Sequence, residues 1–130
     1  MFFNIYAGAL YLEKKSNNAN KIINSNKSMA ITLHITSSLI TSSKMKSATL
    51  EGFENATNNK TASIMKKIDA LLDVFTETIN TGDIYKFLYL PHKGLEIYKN
   101  DKLKSIIPGL KFKKVFFGIW LCDNPPYKRN

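Results

Sequence analysis

The chain begins with an apolar run that alternates at a period of two. Over residues 2–12, Phe3, Ile5, Ala7, Ala9 and Tyr11 fall on one face, and Phe2, Asn4, Tyr6, Gly8 and Leu10 on the other. Both faces are largely apolar, which predicts a central strand covered on both sides. Residues 17–23 predict a short helix inside the Asn/Ser/Lys stretch of residues 16–28. Residues 30–36 alternate cleanly: Ile31, Leu33 and Ile35 point one way, Thr32, His34 and Thr36 the other, a half-buried strand. Thr41, Ser42 and Ser43 offer N-cap oxygens for a helix running to about Asn55, with Met45, Ala48, Gly52 and Phe53 along one side. Residues 61–78 carry the strongest helical period, through Ile64, Ile68, Leu71, Leu72, Phe75 and then Ile79, and Thr81-Gly82-Asp83 closes that helix.

The second half reads as a meander. Strands are predicted over residues 84–90, 95–98 and 102–107, joined first by Pro91-His92-Lys93-Gly94 and then by the polar turn Asn100-Asp101. Pro108-Gly109 breaks the third strand. A helix over residues 110–121 follows, with Val115, Phe116, Ile119 and Trp120 on its buried side, and Asp123-Asn124-Pro125-Pro126 ends it. The order β-α-β-α-α-β-β-β-α predicts an α+β fold, an antiparallel sheet with a layer of helices on one face.

Composition narrows the function classes. At 130 residues the chain is one domain, long enough to bury roughly two-thirds of its unfolded surface. No apolar run approaches the roughly 20 residues of a membrane span. The apolar start lacks a basic leader, because Glu13, Lys14 and Lys15 follow it, so no signal peptide is predicted and the compartment stays open. The formal net charge is +9, yet Arg129 is the only arginine. Nucleic-acid readers favour the planar arginine fork, so the lysines read as a solvated surface, with binding to anionic lipid or nucleic acid as an alternative. Cys122 is the only cysteine, which excludes an intrachain disulfide and reads as an inert buried thiol. His34 and His92 stand far apart with no carboxylate pair beside them, so no metal site is predicted. No Gly-x-Ser-x-Gly elbow or Gly-rich phosphate loop is present.

Several short motifs occur in an order that resembles the chalcone isomerase-like family, especially its bacterial members. They are Leu10-Tyr11-Leu12, Leu50-Glu51-Gly52-Phe53, the run from Leu71-Leu72-Asp73-Val74-Phe75 to Pro91 and Gly94, and Ile119-Trp120-Leu121 with Asp123-Asn124-Pro125. The resemblance implies an open-faced sandwich of sheet and helices. It also implies a chain shortened at both ends, without the family's first strand and last helical turns. Members are often exported.

The catalytic members use an arginine on that first strand, a threonine on the next, a tyrosine and an asparagine on the long helix, and a serine or threonine on the last. Here the threonine position falls at about Tyr6 and the last-helix position near Lys113. The helix that begins at Thr41 has neither tyrosine nor asparagine up to Phe53. None of the isomerase's polar residues carries over, so no catalytic residue and no cofactor is expected.

Non-catalytic relatives bind fatty acids. The resemblance places a cleft between the early strands, the long helix and the last helix, lined here by Tyr6, Met45, Ala48, Phe53, Phe112 and Phe116. Tyr6 would donate a hydrogen bond to a ligand and Lys113 would supply a cation. The expected function is non-catalytic binding of a small apolar or fatty-acyl ligand at Tyr6, Met45, Phe53, Lys113 and Phe116. An isomerase or intramolecular lyase built on Tyr6 and Lys113 is the catalytic alternative.

Overall fold

The computed structural model describes the backbone of residues 6–12 and 18–121, and the side chains of Leu12, Asn18 and residues 20–119. The elements are β1 (Tyr6–Leu12), α1 (Ala19–Asn24), β2 (Met29–Ile35), α2 (Ser42–Ala56), α3 (Met65–Val74), β3 (Ile84–Leu90), β4 (Gly94–Lys99), β5 (Lys102–Ile107) and α4 (Leu110–Leu121). Their order is the one read from the sequence. The strands form one antiparallel sheet in sequential order, β1-β2-β3-β4-β5. Predicted residues 2–5, Cys122 and the Asp123-Asn124-Pro125-Pro126 stop lie outside the described residues, as does the Trp120 side chain.

Pairing register sets the two faces. Leu33 lies opposite Tyr85, and Ile31 opposite Phe87. Phe87 lies opposite Ile97, and Tyr89 opposite Leu95. All of these are buried beneath the helices with Ile68, Leu71, Phe53 and Phe116. On the opposite face Ile84, Leu103 and Ile106 remain substantially exposed. One helical layer on one face therefore suffices for the core.

Three expectations need correction. The first strand is not central: among the described residues β1 pairs with β2 alone and forms one edge. Its apolar alternation reports what lies above and below a strand, not beside it. In a sequential meander the first strand ends at the margin. The second concerns β2, where only His34 of the strand is exposed and Thr32 is buried on the face away from the helices. Third, the helix expected over residues 61–78 is α3 alone, entered through a tight 3-10 turn at Ala62–Ile64. The hydrogen bonds Phe75 N–H to Leu72 O and Thr76 N–H to Asp73 O close it early. The residues that follow, Thr76, Thr78 and Ile79, are β-branched and poor helix formers.

Local chemistry explains the well-placed boundaries. The Thr41 hydroxyl accepts the Lys44 N–H at 3.1 Å and caps α2. Asn100 and Asp101 both have positive φ, 51° and 69°, the geometry of a two-residue type I′ hairpin. Two glycines are fixed by space. Gly94 has φ +106°, and a Cβ there would fall 2.4 Å from the Ile107 carbonyl oxygen. Gly52 lets α2 approach α4, since a Cβ there would stand 3.0 Å from Ile119 Cγ2. Among the described residues no helix is long and apolar enough to cross a membrane.

Candidate functional site

The region between the sheet and helices α2 and α4 is filled by aromatic side chains. Phe53 on α2 stacks on Phe112 at 5.4 Å, and Phe112 lies 6.5 Å from Phe116 one turn along α4. Phe116 meets Phe87 of β3 at 4.9 Å, and Phe87 meets Phe75, past the end of α3, at 6.4 Å. The helical 3.6-residue period places Phe112 and Phe116 on one face, and the strand period of two places Tyr85, Phe87 and Tyr89 on one face of β3. A continuous aromatic row results. Offset and edge-on ring contacts of this kind add about 0.5–1.5 kcal/mol each to area burial.

Three of the expected ligand residues meet in this layer or border it. Met45, in the first turn of α2, Phe53 and Phe116 are all buried. Phe53 and Phe116 join through Phe112, while Met45 lies two turns from Phe53 on the same helix side. Tyr6 is placed by its backbone only: it is the first residue of β1 and lies opposite Ile35. Its side chain lies outside the described residues.

Lys113 is also at the interior, with 0% exposure. Its ammonium donates to three backbone carbonyls, Ile22 O at 2.8 Å, Ile23 O at 2.8 Å and Ser25 O at 2.6 Å. These acceptors belong to the last turn and C-cap of α1, the negative end of that helix. The ammonium also stands 5.3 Å from the Phe117 ring centroid and 5.7 Å from that of Tyr89. Among the described residues no carboxylate pairs with it. Burial and, secondarily, the neighbouring Lys114 charge push its pKa down to about 8.

The adjoining Tyr89 hydroxyl donates to Asn26 Oδ1 at 2.6 Å, and burial raises its pKa above the ordinary tyrosine value. The sequence reading missed Tyr89. The signal was the alternation Tyr85, Phe87, Tyr89 on β3, which put a phenol on the helix-covered face of that strand, two residues beyond Phe87. It also missed what Lys113 touches, because the acceptors are main-chain atoms in an Asn-rich stretch 88 to 91 residues away.

A second polar cluster lies at the opposite end of β3. The Asp83 carboxylate accepts the Asn100 amide at 3.0 Å and the Asn80 N–H at 2.8 Å. The Lys99 ammonium stands 3.8 Å from Asp83 and donates to Thr78 O at 2.9 Å. This arrangement ties the α3–β3 connection to the β4–β5 turn. Nearby, the Tyr85 hydroxyl is buried without a hydrogen-bond partner among the described residues.

A family model described as chalcone isomerase-like matches residues 1–129. No curated protein matches the chain significantly in sequence. Among solved structures, the chain is similar to a crystal structure of a fatty-acid binding protein from Arabidopsis thaliana. The TM-score is 0.77 at 12% identity, covering 93% of this chain and 71% of that one. The α+β architecture deduced above is thus the architecture of that structure.

Proposed function

The chain belongs to the chalcone isomerase-like family, and from that membership we propose that it is a non-catalytic member holding a small apolar or fatty-acyl ligand. The observation that carries this reading is the aromatic row from Phe53 through Phe112 and Phe116 to Phe87, enclosed between sheet and helices beside a fully buried ammonium. An alkyl chain entering this layer would exchange ring–ring contacts for ring–alkyl contacts, with no polar group to desolvate along the row. Met45, Phe53 and Phe116 would flank the chain, Lys113 would face its polar end, and Tyr6 would lie at the β1 side. The fold shared with a plant fatty-acid binding protein supports the same ligand class. Two features weigh against isomerase chemistry. Lys113 stands at the expected last-helix position in place of a hydroxyl. The described α2 side chains include neither a tyrosine nor an asparagine before Phe53.

Calorimetric titration with dodecanol tests the apolar part of this reading. Saturable 1:1 binding, weakened at least tenfold in Phe116→Ala, is the expected result. Absence of saturable binding, or binding indifferent to Phe116→Ala in a folded variant, would reject it.

A further inference from the structure

The described ion pairs of this basic chain gather at one end of the sheet. Lys99 and Lys104 stand against Glu77 and Asp83, where β3 begins and β4 ends. Lys27, Lys60, Lys66, Lys67, Lys93 and Lys111 lie at the other end, and among the described residues none of them forms an ion pair. We infer that this end is a docking surface for an anionic lipid bilayer, held by lysine charge. The inference goes beyond the ligand-holding reading above and does not depend on it.

Tertiary contacts bring the six lysines together from separate segments. The Lys67 ammonium donates to Pro108 O at 2.7 Å, which sets the first turn of α3 against the β5–α4 junction. Lys66 precedes it in the same turn. The Lys111 ammonium donates to the Ser63 hydroxyl at 3.1 Å, so the start of α4 meets the turn that leads into α3, just past Lys60. Gly94 packs on Ile107 and Pro108, which seats the β3–β4 turn, and with it Lys93, beside the same junction. Met29 lies opposite Tyr89, so the start of β2 brings Lys27 to this end of the sheet. Lys67 is half-buried and the other five are exposed. The acceptors of Lys67 and Lys111 are neutral, so these hydrogen bonds leave the charge of the cluster uncompensated.

Two carboxylates share this end, Glu54 in the last turn of α2 and the exposed Asp69 in the second turn of α3. Neither forms an ion pair among the described residues, and the six cations outnumber them. A concentration of one sign of charge attracts an oppositely charged surface over about a Debye length, roughly 8–10 Å. Bilayers and nucleic acids both offer such a surface. Nucleic-acid readers use arginine forks and exposed rings on which bases stack. None of the described residues is an arginine, and no Phe, Tyr or Trp among them is exposed. Compact ammonium groups on flexible stems suit the diffuse charge of lipid headgroups instead. Each lysine close to an anionic leaflet strengthens binding by about fivefold, and salt screens the effect.

Co-sedimentation with lipid vesicles tests this surface. The protein is expected to bind vesicles of phosphatidylcholine with about 30% phosphatidylglycerol at about 0.1 M salt, and to be released at about 0.5 M. Vesicles of phosphatidylcholine alone should not retain it. Lys60→Gln combined with Lys93→Gln should weaken binding about tenfold or more. Lys44→Gln combined with Lys102→Gln removes the same charge at the opposite end and should weaken it by less than about threefold. All four of these lysines are exposed, so the fold tolerates both double variants. Dodecanol binding should be unchanged in either, which separates this inference from the ligand-holding reading. Equal losses in the two double variants would show that net charge, not this end, is responsible and would overturn the docking surface. So would retention on neutral vesicles, absence of binding, or tighter binding to a short DNA duplex or single-stranded RNA at the same salt.

Discussion

Lys113 and Ser25, 88 residues apart in sequence, are joined by a 2.6 Å hydrogen bond from a fully buried ammonium to a backbone carbonyl. The same ammonium holds Ile22 and Ile23, so α4 carries the fastening of α1. A lysine whose pKa is about 8 in the folded protein and 10.5 ordinarily binds fewer protons folded than unfolded between those values. Its contribution to stability therefore rises with pH from about 8 to about 10.5 and is flat below. Denaturant unfolding of wild type and Lys113→Met across this range provides the check. The difference in stability, wild type minus variant, is expected to grow with pH in that window; a difference independent of pH would contradict the assignment.

Asp83 behaves in the opposite sense. Burial raises its pKa, but the Asn100 amide, the Asn80 N–H and the Lys99 ammonium together outweigh burial and hold it below the ordinary 3.8. Its contribution is present above pH about 4 and is lost as pH falls through the folded value. Asp83→Asn should be less stable than wild type at neutral pH, and the gap should narrow on acidification towards pH 3. A gap that widens in acid would show that the carboxylate is not held as described.

Gly94 is constrained twice, by its positive φ and by the Ile107 carbonyl. A residue forced into such a backbone region costs about 1–3 kcal/mol, before the contact with the β5 end is counted. Gly94→Ala should lower stability by at least that amount, whereas Gly82→Ala, with φ +95° and open space around it, should bear only the backbone term. Thermal unfolding of the two variants separates the effects. Equal losses would mean that the Ile107 contact relaxes freely.

Phe53 sits at one end of the aromatic row and is fully buried. Phe53→Ala should destabilise the fold by about 3–5 kcal/mol, through lost transfer energy and the cavity left beside Phe112. A smaller loss together with stronger dodecanol binding would show that the space can be filled from outside.

Much of the architecture was legible from local chemistry. β3, β5 and α4 have the predicted bounds because their edges carry strong signals: Gly82 before β3, the Asn100-Asp101 turn before β5 and Pro108-Gly109 before α4. Thr41 likewise announced the start of α2. The edge position of β1 was not legible, because side-chain alternation carries no information about hydrogen-bonded neighbours. α3 overran because Phe75 and Ile79 continue its apolar period although the backbone turns after Val74. They are buried from the connecting segment instead. Among the candidate residues, Met45, Phe53 and Phe116 were readable as buried helix faces, and Lys113 was singled out through the family resemblance rather than by any local pattern. Its partners were not, since backbone carbonyls leave no residue-type signature and the pairing spans most of the chain.

The most direct test of the account is native mass spectrometry of the protein purified from cells, with gentle denaturation to release and identify any bound molecule. The account predicts a stoichiometric apolar or acyl-chain compound. A protein recovered empty that also takes up neither dodecanoate nor dodecanol would contradict a ligand-holding role.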